Sequence, residues 1–180
     1  MRSKTGVREM MKEFRAEHGS AGELSFLLQD WEDAYNVGGM FRVADGCGAT
    51  ELVMTGRTPV PPNPMIGVTS LGHHRRIPFR HMERHEEAAI KMVEEGWSLV
   101  AVEIAEGAQS YLEYDYPEKT CLVLGNEANG VYGSVMKHRQ GAVYIPMLGK
   151  GRSLNVHVAA AIVGFHVRLG RGVPVREEES

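Results

Sequence analysis

Only two of the 180 residues are cysteine, which excludes a disulfide framework and a four-cysteine zinc site. Long apolar runs are missing as well. The longest, residues 158–165, is far shorter than the roughly 20 residues that span a bilayer. Residues 1–13 mix basic and acidic side chains with no apolar run behind them, which does not fit a secretory leader. A soluble, cytoplasmic chain with reduced cysteines is the expectation. Charge of one sign is also scarce: 20 Lys and Arg oppose 23 Asp and Glu, for a net charge of -3. That excludes nucleic-acid binding by bulk charge, but not a local basic surface on an acidic body.

The common nucleotide and hydrolase signatures are absent. There is no P-loop, no G-x-G-x-x-G after the first strand, no G-x-S-x-G elbow and no H-E-x-x-H. His73 and His74 are adjacent but lack further ligands at a supporting spacing, so no metal site is expected.

What remains is an ordinary globular composition, 43% hydrophobic and 24% charged, enough for one domain with a core. Val7, Met10, Met11 and Phe14 fall at helical spacing and predict an amphipathic helix at the start. Strands are expected at 23–28, 51–54, 98–104, 120–124 and 142–145. Helices are expected at 36–45, 85–95 and 154–168, with Gly46 and Gly48 ending the first of these. Residues 58–64 hold four prolines and read as an irregular loop. Short continuous apolar strands alternating with helices predict an α/β fold with a mostly parallel sheet and helices on both faces. Ligands in such sheets bind beyond the carboxyl ends of the strands. Two of those ends, 125–130 and 149–155, are rich in glycine and polar residues, which places the candidate site there.

Three segments stand out together. They are Asn36-Val-Gly-Gly-Met-Phe-Arg42, then Leu124-Gly-Asn-Glu127 with Gly130, then Ile145-Pro-Met147 followed by Ser153-Leu-Asn155-Val. In this order and spacing they resemble the three motifs of the SpoU (TrmH-like) branch of the SPOUT RNA methyltransferases. The resemblance runs from about residue 24 to residue 169. It implies an α/β fold with a C-terminal trefoil knot, a homodimer, S-adenosylmethionine as cofactor, and methyl transfer to a ribose 2′-hydroxyl of tRNA or rRNA. It also implies three regions: a helical extension at 1–20, the SPOUT methyltransferase domain at 21–172, and an acidic tail at 173–180. The alternative is a catalytically silent RNA-binding relative. The intact Asn36, Arg42, Glu127, Ser153 and Asn155 stand against it.

By motif position the catalytic set is Arg42, Asn36, Glu127, Ser153 and Asn155. A ribose hydroxyl is a poor nucleophile, so its proton must leave or be polarised. A guanidinium is a doubtful base, with a pKa above ~12. The resemblance gives that role to Arg42, either as the base itself or, more safely, as the group that holds the ribose or its phosphate and the developing oxygen charge. The competing reading is a helix-face salt bridge. Asn36, Ser153 and Asn155 each also suit a helix N-cap, and Glu127 suits the start of a following short helix. The resemblance gives the cofactor to Leu124, Gly125, Ile145, Met147 and Leu154, with Gly125 allowing close approach of the backbone. His157 departs from the serine or alanine usual at its place in the motif. It is read either as a packing histidine or as a proton acceptor.

Residues 73–85 hold four arginines, four of the eight histidines and one acid, Glu83. Within them Arg75, Arg76 and Arg80 are candidate phosphate contacts. Lys150 and Arg152 are further ones beside the glycine-rich loop. The last helix, over 159–167, is apolar on too many faces to stand exposed, which agrees with burial in a dimer or a knot.

Overall fold

The computed structural model describes residues 4–18, 22–151 and 153–170. The strands are β1 (Glu23–Gln29), β2 (Leu52–Thr55), β3 (Phe79–Met82), β4 (Ser98–Val102), β5 (Gln109–Ser110), β6 (Lys119–Leu124) and β7 (Gly141–Tyr144). The helices are α1 (Lys4–His18), α2 (Ala34–Cys47), α3 (Pro64–Ser70), α4 (His85–Glu94), α5 (Gly133–Met136) and α6 (Val156–Leu169). The strands form one sheet in the order β3-β2-β1-β6-β4-β7-β5, and every pair in it is parallel.

Strand alternation sorts the core into two layers. Leu24, Phe26 and Leu28 of β1, with Leu122 and Leu124 of β6, face α2 and α6, where they meet Met40, Phe41, Ala44, Ala160 and Val163. Leu27, Cys121 and Val123 face the other way, onto Ala88, Ala89 and Met92 of α4 and onto Val135 of α5. Both faces are thus buried, which is why the strands read as unbroken apolar runs. The chain leaves β1 toward β2 and β3, then crosses to β4 on the far side, and β6 fills the gap between them. The carboxyl ends of β1, β6 and β4 therefore meet at the reversal of strand order, the usual seat of a ligand in such a sheet.

Several local expectations change. The cap of α2 is Asp33, whose side chain accepts from the Tyr35 N–H. Asn36 lies one turn inside, nearly buried, so it is not a cap. Gly48 ends α2 in a left-handed conformation with φ 63°, whereas Gly46 sits within the helix. Pro64 opens α3 rather than closing a loop, because Asn63 caps it and proline is tolerated at the first helical position. The basic segment is structured: a 3-10 turn at His73–Arg75 leads into edge strand β3. Val7, Met11 and Phe14 of α1 are largely exposed. The tail at 173–180 and the end of the 1–20 extension lie outside the described residues.

Candidate active site and cofactor pocket

A cavity of about 870 Å³ opens beyond the carboxyl ends of β4, β6 and β7, beside the start of α6. Leu124, Gly125, Ile145, Met147 and Leu154, the five residues assigned to the cofactor, all line it. Glu127, Ser153 and Asn155 line it too. Sequence reading missed Glu103 and Asn126, which also face it. The signal for Glu103 was its place at the end of an apolar strand, where polar residues converge on a site.

The loop after β6 is built around Asn126. Its Oδ1 accepts from the N–H groups of Ala128, at 2.9 Å, and Asn129, at 3.2 Å. Its Nδ2 donates to the Asp30 carbonyl at 2.7 Å. Gln29 clasps the loop from β1: Nε2 donates to the Gly130 carbonyl, and Oε1 accepts from the Tyr132 N–H. Glu103 holds it from β4, accepting from the Val131 N–H at 3.2 Å. Gly125 proves necessary for a reason other than ligand approach alone. A Cβ there would lie 2.2 Å from the Gly130 carbonyl carbon, so the loop's own backbone occupies the space.

Asp30 fixes the same corner. It adopts φ 57°, a conformation that Asp and Asn tolerate. Its carboxylate accepts from the Arg57 N–H at 2.9 Å, the Arg57 guanidinium at 3.0 Å and the Tyr132 hydroxyl at 2.8 Å. The Arg57 guanidinium above all, helped by Tyr132, holds the Asp30 carboxyl well below the usual carboxylate range, against the opposite pull of burial. A carboxylate depressed in this way stabilises the fold above its unfolded value near ~4, and that contribution is lost as pH falls toward the folded value. Asp30→Asn, which keeps the backbone preference, is expected to cost about 2 kcal/mol at pH 7. The gap to the wild type should narrow at pH 3.5. Urea unfolding at the two pH values checks both points.

Asn36 joins the three motifs. Its Nδ2 donates to Glu127 Oε1 at 3.0 Å, and its Oδ1 accepts from Asn155 Nδ2 at 3.0 Å. Glu127 is therefore engaged with α2, and no helix begins at it. Asn155 does cap α6, accepting from the His157 N–H, while also reaching Asn36. Ser153 is exposed at the pocket rim. Arg42 is exposed on α2 and has no hydrogen bond or ion pair among the described residues. A helix-face salt bridge is thus not what holds it.

The basic residues divide. Arg75 and Lys150 are exposed and carry no ion pair among the described residues. Arg76 reaches Asp45 at 3.5 Å, and His73 reaches the same carboxylate at 2.8 Å. The 3-10 turn carrying Arg75 packs beside α2, the helix of Arg42. Arg80 does not fit the expected phosphate role. Its guanidinium pairs with Glu51 at 2.9 Å and, through both terminal nitrogens, with Glu95. Alternation in β3 explains this. Phe79 packs on Phe41 of α2, so its neighbour Arg80 points to the α4 face, away from Arg42. Arg152 lies outside the described residues. Cys47 and Cys121 are buried, and burial pushes the Cys47 thiol up to about 12, so neither suits nucleophilic chemistry. No group of three or more His, Cys, Asp or Glu that could hold a metal occurs among the described residues. No helix among them is long and apolar enough to cross a membrane.

The family model for the SpoU rRNA Methylase family matches residues 23–165. The tRNA (guanosine(18)-2′-O)-methyltransferase of Thermus thermophilus is 32% identical over 150 residues, covering 83% of this chain and 76% of that protein. The 23S rRNA (guanosine(2553)-2′-O)-methyltransferase RlmP of Bacillus subtilis is 31% identical over 144 residues, 79% of this chain and 56% of that protein. Among solved structures, the SpoU methyltransferase AviRb from Streptomyces viridochromogenes in complex with AdoMet superposes with a TM-score of 0.76 at 25% identity. That match covers 84% of this chain and 61% of AviRb. An AdoMet-bound rRNA methyltransferase from Sinorhizobium meliloti also gives 0.76, at 28% identity over 86% of this chain and 59% of its own. The chain thus spans about three fifths of the length of these two structures.

Proposed function

Because this chain belongs to the SpoU rRNA methylase family, we propose that it is an S-adenosylmethionine-dependent methyltransferase acting on a ribose 2′-hydroxyl of tRNA or rRNA. The observation that carries the reading is the network centred on Asn36. It draws Glu127 and Asn155 from separate motifs to one edge of a pocket of cofactor size.

The residues present fit the cofactor. Leu124, Ile145, Met147 and Leu154 supply an apolar wall, and the loop at 125–130 brings main-chain groups for the polar edge of an adenine. When bound, S-adenosylmethionine supplies a methyl group made electrophilic by a sulfonium. The protein's part is placement and charge. Asn36, Glu127 and Asn155 fix the floor of the ribose site. Arg42 holds the ribose or its phosphate and stabilises negative charge growing on the 2′-oxygen. Ser153 offers a hydroxyl at the rim. Arg75, Arg76 and Lys150 meet phosphates of the RNA, positioning the strand without reading its sequence.

A homodimer belongs to the same reading. Met147 and Leu154 at the pocket rim, Leu148 in the segment between them, and Val158 and Phe165 on α6 are exposed apolar residues that a second copy would cover. The trefoil threading is part of it too. Its supports are the placement of β6 between β1 and β4 and the meeting of the β6 loop with Asn155 at Asn36. A cytoplasmic location is part of the same proposal.

The test is transfer of labelled methyl from S-adenosylmethionine to unmodified tRNA and rRNA transcripts, followed by mass mapping of nucleosides. A 2′-O-methylated nucleoside is expected. Methyl on a base nitrogen or carbon, with no ribose product, overturns the reading.

A further inference from the structure

His157 stands in the first turn of α6, two residues past Asn155. Its Nδ1 lies 3.2 Å from Asn36 Oδ1, and Glu127 fixes which of the two carries the proton. An ionised carboxylate only accepts, so Asn36 turns Nδ2 to Glu127 and Oδ1 to α6. Asn155 agrees independently. Its Oδ1 is taken by the His157 N–H at 3.1 Å, which leaves Nδ2 for Asn36. Asn36 Oδ1 can only accept, so His157 donates from Nδ1. The neutral imidazole then has its lone pair on Nε2.

Nε2 has no hydrogen-bond partner among the described residues. It lies against Gly39 of α2, where a Cβ would come within 3.1 Å of it. Arg42 follows Gly39 by three residues, on the same helix face. The charged groups around the ring are Asp33 and Arg42 of α2, with Glu127 beyond Asn36. Burial, joined by Arg42 and opposed by Asp33, holds the imidazole below its ordinary value and so favours its neutral form.

On the methyltransferase reading above, we infer that His157 Nε2 accepts the proton of the ribose 2′-hydroxyl while Arg42 holds the developing oxygen charge. The 2′-oxygen bonds to the methyl carbon of S-adenosylmethionine as the carbon–sulfur bond breaks. Sulfur keeps that electron pair, and the proton ends on Nε2 before passing to water. This division of labour removes the difficulty of a guanidinium base and uses a group suited to proton transfer near neutral pH.

The test uses the RNA identified by the mapping experiment. His157→Ala should lower kcat about 10²-fold and leave S-adenosylmethionine affinity, measured by calorimetry, unchanged. Added imidazole should restore part of the rate. The wild-type kcat/KM should fall at acid pH along a single-proton limb, and the variant should lose that limb. Gly39→Ala keeps the histidine but crowds its ring, so an intermediate fall in kcat is expected. Independently of turnover, long-range proton–nitrogen spectra of histidine-labelled protein at pH 7.5 should show His157 protonated at Nδ1. A His157→Ala enzyme with near-wild-type kcat, an acid limb that survives the substitution, or a proton on Nε2 each overturns the assignment. Wild-type protein that binds S-adenosylmethionine but makes no 2′-O-methyl product overturns the parent reading and this inference with it. That outcome is distinct from an active wild type indifferent to His157→Ala.

Discussion

Arg42→Ala is expected to lower methyl transfer by about 10²- to 10³-fold while S-adenosylmethionine still binds with wild-type affinity. The first half follows from the chemistry. Charge grows on a ribose oxygen in the transition state, and a fixed cation beside it acts most strongly where water is excluded. Arg42 is exposed on α2 with no internal partner among the described residues, so its charge is available to a substrate. The second half follows from the geometry. The pocket walls are made by the ends of β4, β6 and β7 and by the start of α6, and Arg42 is not among them. Truncating an exposed helical arginine should also move stability by no more than about 0.5 kcal/mol. Arg42→Lys should recover only part of the rate, because an ammonium lacks the two-pronged geometry of a guanidinium. Radiolabelled transfer, titration calorimetry and a thermal melt together check the three statements. Retained turnover in Arg42→Ala would show that the role given to this residue is wrong.

Gly125→Ala is expected to damage cofactor binding and folding together. The added methyl would lie 2.2 Å from the Gly130 carbonyl carbon, 2.3 Å from the Val131 nitrogen and 2.4 Å from the Gly130 oxygen. All three are backbone atoms, so no side-chain rotation relieves the clash and the loop must move. The loop is tied to Gln29, Asp30 and Glu103, so moving it strains those bonds. Overpacking of this kind costs about 1–3 kcal/mol, and the displaced segment is a wall of the pocket. A loss of S-adenosylmethionine affinity of at least about tenfold should accompany a lower melting temperature, with 1.4 kcal/mol corresponding to each factor of ten. Gly133→Ala is the control, since nothing lies within 4 Å of a Cβ there. Calorimetry and melting curves on the two variants, side by side, separate a local clash from a general effect of removing glycine.

Much of this architecture was legible because its signals are local. Continuous apolar strands ended by glycine or proline announced a sheet buried on both faces, and polar clusters at two strand ends announced the pocket. The five proposed cofactor residues were placed by their motif positions, as the resemblance implies. Two of the misreadings, Asn36 and Arg80, depend on partners distant in sequence. Asn36 resembles a cap in isolation, but its bonds are to residues 91 and 119 positions away. Arg80 resembles a phosphate ligand until strand alternation turns it toward Glu51 and Glu95. Gly125 lines the pocket as expected, but the close contact with the Gly130 backbone that also requires a glycine there was not read. Pro64 was grouped with three other prolines as loop, although Asn63 before it was a cap signal within reach of sequence alone.

The two walls of the pocket are held very differently. The loop at 125–132 is fastened from β1 by Gln29 and Asp30, and from β4 by Glu103. Residues 146–151 and 153–154 show no backbone–backbone hydrogen bond to the rest of the chain among the described residues, and Leu148 is fully exposed. The conformational entropy lost on ligand binding is therefore concentrated in one short segment. On the proposed cofactor reading, the adenine edge meets a surface already in shape when the ligand arrives. On that reading the ordering cost of binding falls on the described residues of the opposite wall, Met147 and Leu154 among them, rather than on the sheet beneath them.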